Sequence, residues 1–386
     1  MQDYALKFSQ TRKAHRVAVS VLFFLQGICF ASWASRIPSI QQSLHLTDAA
    51  LGLVLFSLPV GSMISLPFAG WMVSKLGSRT IVTAALVFYG ITLCGLGMAT
   101  TKWQLIGVLA VFGIGGNLSN ISVNTQAVGV EAIYQRSVMA SFHGLWSLAG
   151  FTAAAIGSYM IGHNVAPYQH FVLILSFMVL ALALTFRFTL EEDLHTGATG
   201  QKLFVKPDRH LLKLGLITFC SMICEGAMFD WSGIYFQKVV QAKAAWVGAG
   251  YTVFMCTMAT GRFIADWFST KFGLKRTLQV SGLLTALGLS IAVAFPTMAP
   301  ALAGFFLVGF GVSSIVPLVY SAAGRSKVMS AGMALATVSS IGFIGFLIGP
   351  PLIGLLAGMA SLRLSFSLIA VMGLVIAALA GKMEPA

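Results

Sequence analysis

Glu225-Gly226-Ala227-Met228-Phe229-Asp230-Trp231 is the stretch whose reading decides what this chain is. It lies inside an apolar run from about residue 211 to 236. A run of that length crosses a bilayer, whose hydrocarbon core takes roughly 20 mostly apolar residues. Two carboxylates therefore sit where a charge costs on the order of 3 kcal/mol or more. A membrane chain keeps such groups where they face a polar cavity, pair with a cation or carry a proton, and all three point to transport.

The rest of the chain agrees with a membrane setting. Of 386 residues, 57% are hydrophobic and 9% charged, and the mean hydropathy is +0.87. Soluble domains carry about 25% charged residues, so a polytopic membrane protein is expected. No cleavage-like small-residue site follows Lys7, Arg12 and Lys13, and no signal peptide is read. The net charge of +13 does not imply a nucleic-acid partner, because the basic residues lie between apolar runs instead of forming a soluble face. The five cysteines, Cys29, Cys94, Cys220, Cys224 and Cys256, all fall within apolar runs and read as small buried hydrophobes.

Apolar runs occur at about 17–37, 49–73, 80–100, 104–130, 137–162 and 168–190, then at 211–236, 245–270, 277–296, 300–323, 330–358 and 362–381. The expected fold is an all-α membrane protein with twelve transmembrane helices in two pseudo-symmetric six-helix bundles. The bundles span 1–190 and 211–386, with a linker over 191–210. Lysine and arginine set the orientation. With the N-terminus inside, one side carries eighteen of them and the other only Arg36, Lys102, Lys238, Lys243 and Arg363. Both termini and the linker are thus expected on the cytoplasmic side. The halves also repeat. Ser74-Lys75-Leu76-Gly77-Ser78-Arg79 meets Thr270-Lys271-Phe272-Gly273-Leu274-Lys275 at an offset of 196 (270 − 74). Gly113-Ile114-Gly115 meets Gly309-Phe310-Gly311 at the same offset, and Trp33 meets Trp231 two residues further on. Two like halves that both start inside are related by an axis along the membrane normal.

On these features the chain resembles the major facilitator superfamily over its whole length. The family's loop after its second span reads Gly-x-x-x-Asp-Arg-x-Gly-Arg-Arg or similar. Here Gly70-Trp71-Met72-Val73-Ser74-Lys75-Leu76-Gly77-Ser78-Arg79 keeps both glycines, the basic residue and an arginine, but has Ser74 for the aspartate. The second copy has Thr270 at the aspartate's place. The missing carboxylate takes part in the family's cytoplasmic gate, and Arg262 with Asp266, at i and i+4, are candidates to replace it. Lys75, Arg79 and Lys271 are the other inner gate candidates. The Ala31-Ser32-Trp33-Ala34-Ser35-Arg36, Glu225-Gly226 and Gly349-Pro350-Pro351 elements are similar to a branch of bacterial inner-membrane carriers.

The resemblance implies that spans 1, 4, 7 and 10 line the transport cavity, so their polar residues matter most. Asn117, Asn120 and Asn124 fall at i, i+3 and i+7 on one face of span 4, with Gln126 close by. The alternative to cargo binding is hydrogen bonding between helices, worth about 1 kcal/mol per pair. At the repeat offset, Asn124 meets Tyr320. Gln26 in span 1 and Glu225 in span 7 lie at similar depth. The aromatics Trp33, Trp146, Trp231 and Tyr320 are candidates to stack on a sugar ring or to wall an apolar drug pocket. Glu225 is the first candidate for a coupling proton, with no lysine or arginine central in spans 1, 4, 7 or 10 to pair it and with Gly226 leaving room beside it. Asp230 is the second, and is also a candidate outer latch with Arg36. His143 in span 5 is the third, since imidazole changes charge between about pH 5 and 8. Glu131 and Arg136 flank the cytoplasmic end of span 4 and are expected to tie down that loop. Gly342, Gly345, Gly349, Pro350, Pro351 and Gly354 predict close packing and a bend in span 11.

No Gly-x-x-x-x-Gly-Lys-Ser/Thr loop is present, so no ATP-driven pump is read. No metal site, cofactor or enzyme motif is expected. The reading is a secondary transporter of the bacterial inner membrane, working as a monomer in the lipid bilayer by alternating access. It moves a small polar organic solute, sugar-like, with protons. The alternatives are proton-driven efflux of amphipathic compounds and a non-transporting receptor with a carrier fold.

Overall fold

A computed structural model describes residues 2–134, 138–191, 208–323 and 331–383. Among these residues the regular elements are helices: α1 (Gln2–Ser43), α2 (Asp48–Leu76), α3 (Ser78–Met98), α4 (Lys102–Tyr134), α5 (Met139–Gly162), α6 (Pro167–Thr185), α7 (Arg209–Lys238), α8 (Ala249–Phe272), α9 (Leu274–Ala294), α10 (Met298–Ser313), α11 (Ile315–Ala323), α12 (Ala331–Met359) and α13 (Leu362–Gly381). Short 3₁₀ turns lie at Phe186–Phe188 and Ala244–Trp246. Eleven spans are long and apolar enough to cross a membrane, α10 and α11 counting together as Met298–Ala323. The remaining long helix, α8, has 24 residues but carries Arg262, Asp266 and Lys271. With it the architecture is the expected twelve-span one, the tenth span being broken at Ser314.

Local chemistry sets the ends. Gly77 and Gly273 take φ of 78° and 79°, the left-handed region that glycine enters without a side-chain clash, and they separate α2 from α3 and α8 from α9. Asp208 caps α7 by accepting from the Leu211 amide at 2.8 Å. Ser361 caps α13 in the same way through Leu364. Four of the five cysteines are buried as expected, whereas Cys256 on α8 is exposed.

The chain forms two compact units. The first is Met1–Ile40 with Ser57–Gly197, and the second is Gln41–Phe56 with Ala198–Ala386. The sequence places 41–56 in the first half; the structure places it with the second. Close backbone contact explains this: a Cβ on Gly52 would lie 2.7 Å from the Pro350 carbonyl oxygen and 2.9 Å from the Gly354 Cα. Asp48 then pairs with Lys238 at the end of α7, 2.5 Å apart, and accepts from Gln41 at 2.8 Å.

Within each unit the repeat is reproduced in packing detail. In the first, a Cβ on Gly113 would collide with the Leu58 carbonyl oxygen; in the second, one on Gly309 would collide with the Phe254 carbonyl oxygen. Leu58 and Phe254 are themselves separated by the repeat offset. These glycines let α4 approach α2 and α10 approach α8 as only a residue without a side chain permits. Lys75 lies over the Trp71 ring and Lys271 over the Trp267 ring, each 5.0 Å from the centroid.

Candidate functional site

In the first unit, α4 presents its amides in two different ways. Asn117 donates to Ser65 Oγ on α2 at 2.7 Å, and Asn124 donates to the Asn120 carbonyl one turn back at 2.8 Å. Asn120 is exposed, so this face is open at its middle. Gln126 is in another position altogether. It is fully buried, donates to Ser78 Oγ at 2.6 Å and to the Leu190 carbonyl at 2.9 Å, and accepts from the Leu190 amide at 2.8 Å. Its amide is consumed in holding α3 and the end of the bundle, which leaves it nothing to offer a cargo.

On α1, Gln26 and Trp33 are buried, and among the described residues neither Gln26 Oε1 nor Trp33 Nε1 has a hydrogen-bond partner. Trp33 therefore has no ring face open to a sugar in this conformation. Trp146 on α5 stacks on Phe30 at 6.0 Å, and its carbonyl touches the position where Gly27 would carry a Cβ. His143 is exposed and sits edge-on to Phe23 at 5.2 Å.

Arg36, expected as half of an outer latch, is 1% exposed and donates to the Val165 carbonyl inside the first unit. It lies near His170 on α6, a fully buried histidine that spacing alone did not single out. At the cytoplasmic-type loops, Arg79 pairs with Glu191 and covers the Phe186 ring. Glu131 accepts from the amides of Val138 and Met139 at 2.9 and 3.1 Å, capping α5; Arg136 lies outside the described residues.

In the second unit the central finding concerns Glu225. Its Oε1 accepts from Arg262 of α8 at 3.1 Å. The side chains are 9% and 16% exposed, so the pair is largely dehydrated but not sealed. The sequence offers Glu225 no cation central in spans 1, 4, 7 and 10; the cation comes from α8. The expected partner of Arg262, Asp266 on its own helix, has a side chain that lies outside the described residues. Gly226 does not open a gap beside Glu225 either, since the Phe346 ring of α12 stands 3.3 Å from where its Cβ would be. Tyr320 on α11 hydrogen-bonds Ser339 on α12 and lies within electrostatic reach of Glu225. Four elements thus converge on one buried charge pair.

Asp230 lies about a turn and a half further along α7. Among the described residues no hydrogen bond or ion pair reaches it, and its electrostatic neighbour is Tyr251 of α8, whose buried hydroxyl has no partner. Trp231 is fully buried, like its repeat mate Trp33, and among the described residues its Nε1 also has no hydrogen-bond partner. Among the described residues no group of three or more His, Cys, Asp or Glu could hold a metal ion.

The fold is that of a polytopic helical membrane protein with a buried charge pair, and comparison with known proteins names the class. A family model for the Major Facilitator Superfamily matches residues 19–323 and 241–385. An MFS-type transporter of Yersinia pestis is 32% identical over 367 residues, covering 95% of this chain and 94% of that one. The chain belongs to the Major Facilitator Superfamily. A cis,cis-muconate transport protein of Acinetobacter baylyi is 23% identical over 85% of this chain and 83% of its own. Among solved structures, a bacterial homologue of the human lysosomal transporter Spinster superposes with a TM-score of 0.76 at 15% identity, covering 97% of this chain and 99% of that one. The nucleoside transporter NupG superposes with a TM-score of 0.74 at 14% identity, covering 96% of this chain and 100% of that one. These likenesses establish the fold and a membrane-embedded transporter family that handles small molecules.

Proposed function

We propose that the chain is a proton-coupled secondary transporter of a small polar organic solute, working by alternating access. The observation that carries this reading is the dehydrated Glu225–Arg262 pair within a transporter fold. A buried ion pair is a poor device for stability, since desolvation offsets most of its attraction. It is a good device for coupling, because one proton on Glu225 dissolves it. Asp230 and His143 are the second and third coupling candidates. The exposed amide face at Asn120 and Asn124 supports a polar cargo, sugar-like in its hydrogen-bonding. The names of the muconate and nucleoside carriers, both for small polar organic solutes, support the same class. The excess of basic residues on one side supports a bacterial inner-membrane location with both termini cytoplasmic. The working unit is a monomer.

The test is uptake into proteoliposomes of a solute first found by thermal-shift screening of a metabolite library. An inward proton gradient is expected to drive accumulation above equilibrium. Glu225→Gln is expected to keep exchange of solute across the membrane and to lose gradient-driven accumulation. Ligand binding without flux, in vesicles where a control carrier works, would instead assign a receptor.

A further inference from the structure

Arg36 is a buried cation that proton coupling at Glu225 leaves without a task. α5 is drawn tight against α1 at Gly157, where a Cβ would collide with Ser35 Oγ. The next residue of α1, Arg36, donates through Nη2 to the Val165 carbonyl, in the turn between the end of α5 and the start of α6. It is 1% exposed, and among the described residues its Nε has no hydrogen-bond partner. Its electrostatic neighbour is His170, in the first turns of α6, which is fully buried and has no partner among the described residues at either ring nitrogen. Three polar nitrogen atoms without partners are thus gathered around a charge that a guanidinium does not shed.

A dehydrated charge with no counter-charge costs several kcal/mol, and the described part of the first unit offers none. None of the three ion pairs among the described residues includes Arg36. Glu131 caps the start of α5, whose 24 residues put about 36 Å between it and the Val165 turn. Glu191 pairs with Arg79 beyond the other end of α6. The end of α5 is no substitute, because the carbonyls of Tyr159, Met160 and Ile161 already accept from the amides of His163, Val165 and Asn164. The start of α6 adds positive potential, since the N-terminus of a helix carries about half an elementary charge.

We propose that Arg36 and His170 form a binding site for a small monovalent anion, a halide such as chloride, which ties α1 to the start of α6. The donors fit. Arg36 supplies Nε–H and the Nη2 hydrogen that Val165 does not take, His170 supplies one ring N–H, and the helix N-terminus favours negative charge. Charge sets the valence: one negative charge balances one guanidinium, whereas phosphate would bury a surplus. Burial sets the size. Arg36 and His170 are both closed to solvent, which suits a single atom and not a lipid headgroup or an organic solute. The site does not depend on the proton-coupled reading, and its test does not use transport.

The experiment uses the full-length purified protein in detergent micelles, with chloride exchanged stepwise for gluconate at constant ionic strength. A ligand of the folded chain raises the unfolding midpoint by mass action. The midpoint is expected to rise with chloride to a plateau, bromide to replace chloride, and gluconate and phosphate to be inert. Arg36→Gln is expected to abolish the response, so that its deficit against the wild type shrinks when chloride is removed. His170→Leu is expected to need about tenfold more chloride for the same shift, through loss of one charge-assisted hydrogen bond. Arg363→Gln, which removes an exposed arginine that also rests on a carbonyl, and Asp230→Asn are expected to respond as the wild type does. Should Arg36→Gln fail to fold, the wild type still decides: the NMR line of dilute chloride is expected to broaden with the protein present and to narrow when bromide is added. Equal wild-type midpoints in chloride and gluconate, or a chloride line that the protein leaves sharp, would overturn the site. So would a full chloride response in folded Arg36→Gln, or an Arg36→Gln deficit identical in both salts, which would leave Arg36 as a clamp on Val165 alone. Stabilisation by phosphate that is lost in Arg36→Gln would overturn the monovalent class. A chloride response seen only in Asp230→Asn would assign the counter-charge to Asp230 and overturn the proposal.

Discussion

Replacing either partner of the buried pair by glutamine should cost stability in different ways, and the difference reports whether the pair is formed. At 3.1 Å the Coulomb attraction is about 5 kcal/mol with an effective dielectric constant near 20. Most of that is offset by desolvation, so the measurable cost of losing one partner is about 3 kcal/mol. In Glu225→Gln the remaining guanidinium cannot discard its charge, so that cost should be the same at pH 5.5 and pH 8. In Arg262→Gln the remaining carboxylate can be neutralised. Its cost should be small at acid pH and grow by up to about 1.4 kcal/mol per pH unit as the pH rises. The sign follows from proton counting: where the native variant holds a proton that the unfolded chain has released, raising the pH favours unfolding. The double glutamine variant should lie closer to the wild type than either single variant, since neither charge of the pair is left without the other. Equilibrium unfolding in mixed detergent micelles at four pH values measures all four proteins. Equal costs with equal pH slopes for the two single variants would refute the reasoning, because the pair would then contribute no charge-specific energy.

Other expectations follow from individual contacts. Gly354→Leu should destabilise by about 1–3 kcal/mol through overpacking against Gly52 and the Asp48 carbonyl, and Gly354→Ala by less; unfolding titrations check both. Asp48→Asn should change stability by under about 1 kcal/mol, because Lys238 is 41% exposed and water screens the pair, as the same titration will show. Gln126→Leu should cost about 1–3 kcal/mol by leaving the Leu190 backbone groups unpaired, while cargo affinity in the surviving folded protein stays unchanged in a binding isotherm. Asn120→Leu should do the opposite, weakening cargo binding about tenfold with stability within about 0.5 kcal/mol of wild type.

Much of the architecture was legible because membrane helices announce themselves one at a time. Each run is long enough to cross, and the repeat at Gly77 and Gly273 is a backbone requirement that both halves share. The broken tenth span was not legible, as Ser314 carries no breaker signal. Nor was the place of 41–56, since it depends on Gly52 meeting Gly354, a contact some 300 residues apart in sequence. The candidate site was legible residue by residue but not as pairs. Periodicity puts Asn117 and Asn124 on one face, yet cannot tell that Asn117 is spent on Ser65. The sequence flags Glu225 as a mid-membrane charge and Arg262 as an inner gate candidate. Their meeting depends on how α7 packs on α8, and helix spacing within one span contains no trace of that. Gln126 shows the same limit from the other side: an amide near a cavity-lining run is equally suited to clamp a neighbouring loop.

The measurement that bears most directly on the central claim is proton movement accompanying solute entry. Proteoliposomes with a pH-sensitive dye inside, at equal pH on both sides and without sodium, are given a solute that stabilises the purified protein. The account predicts internal acidification that tracks solute uptake one for one, and its loss in Glu225→Gln although exchange of labelled solute continues. Solute entry with no acidification, or acidification unchanged in Glu225→Gln, would contradict it.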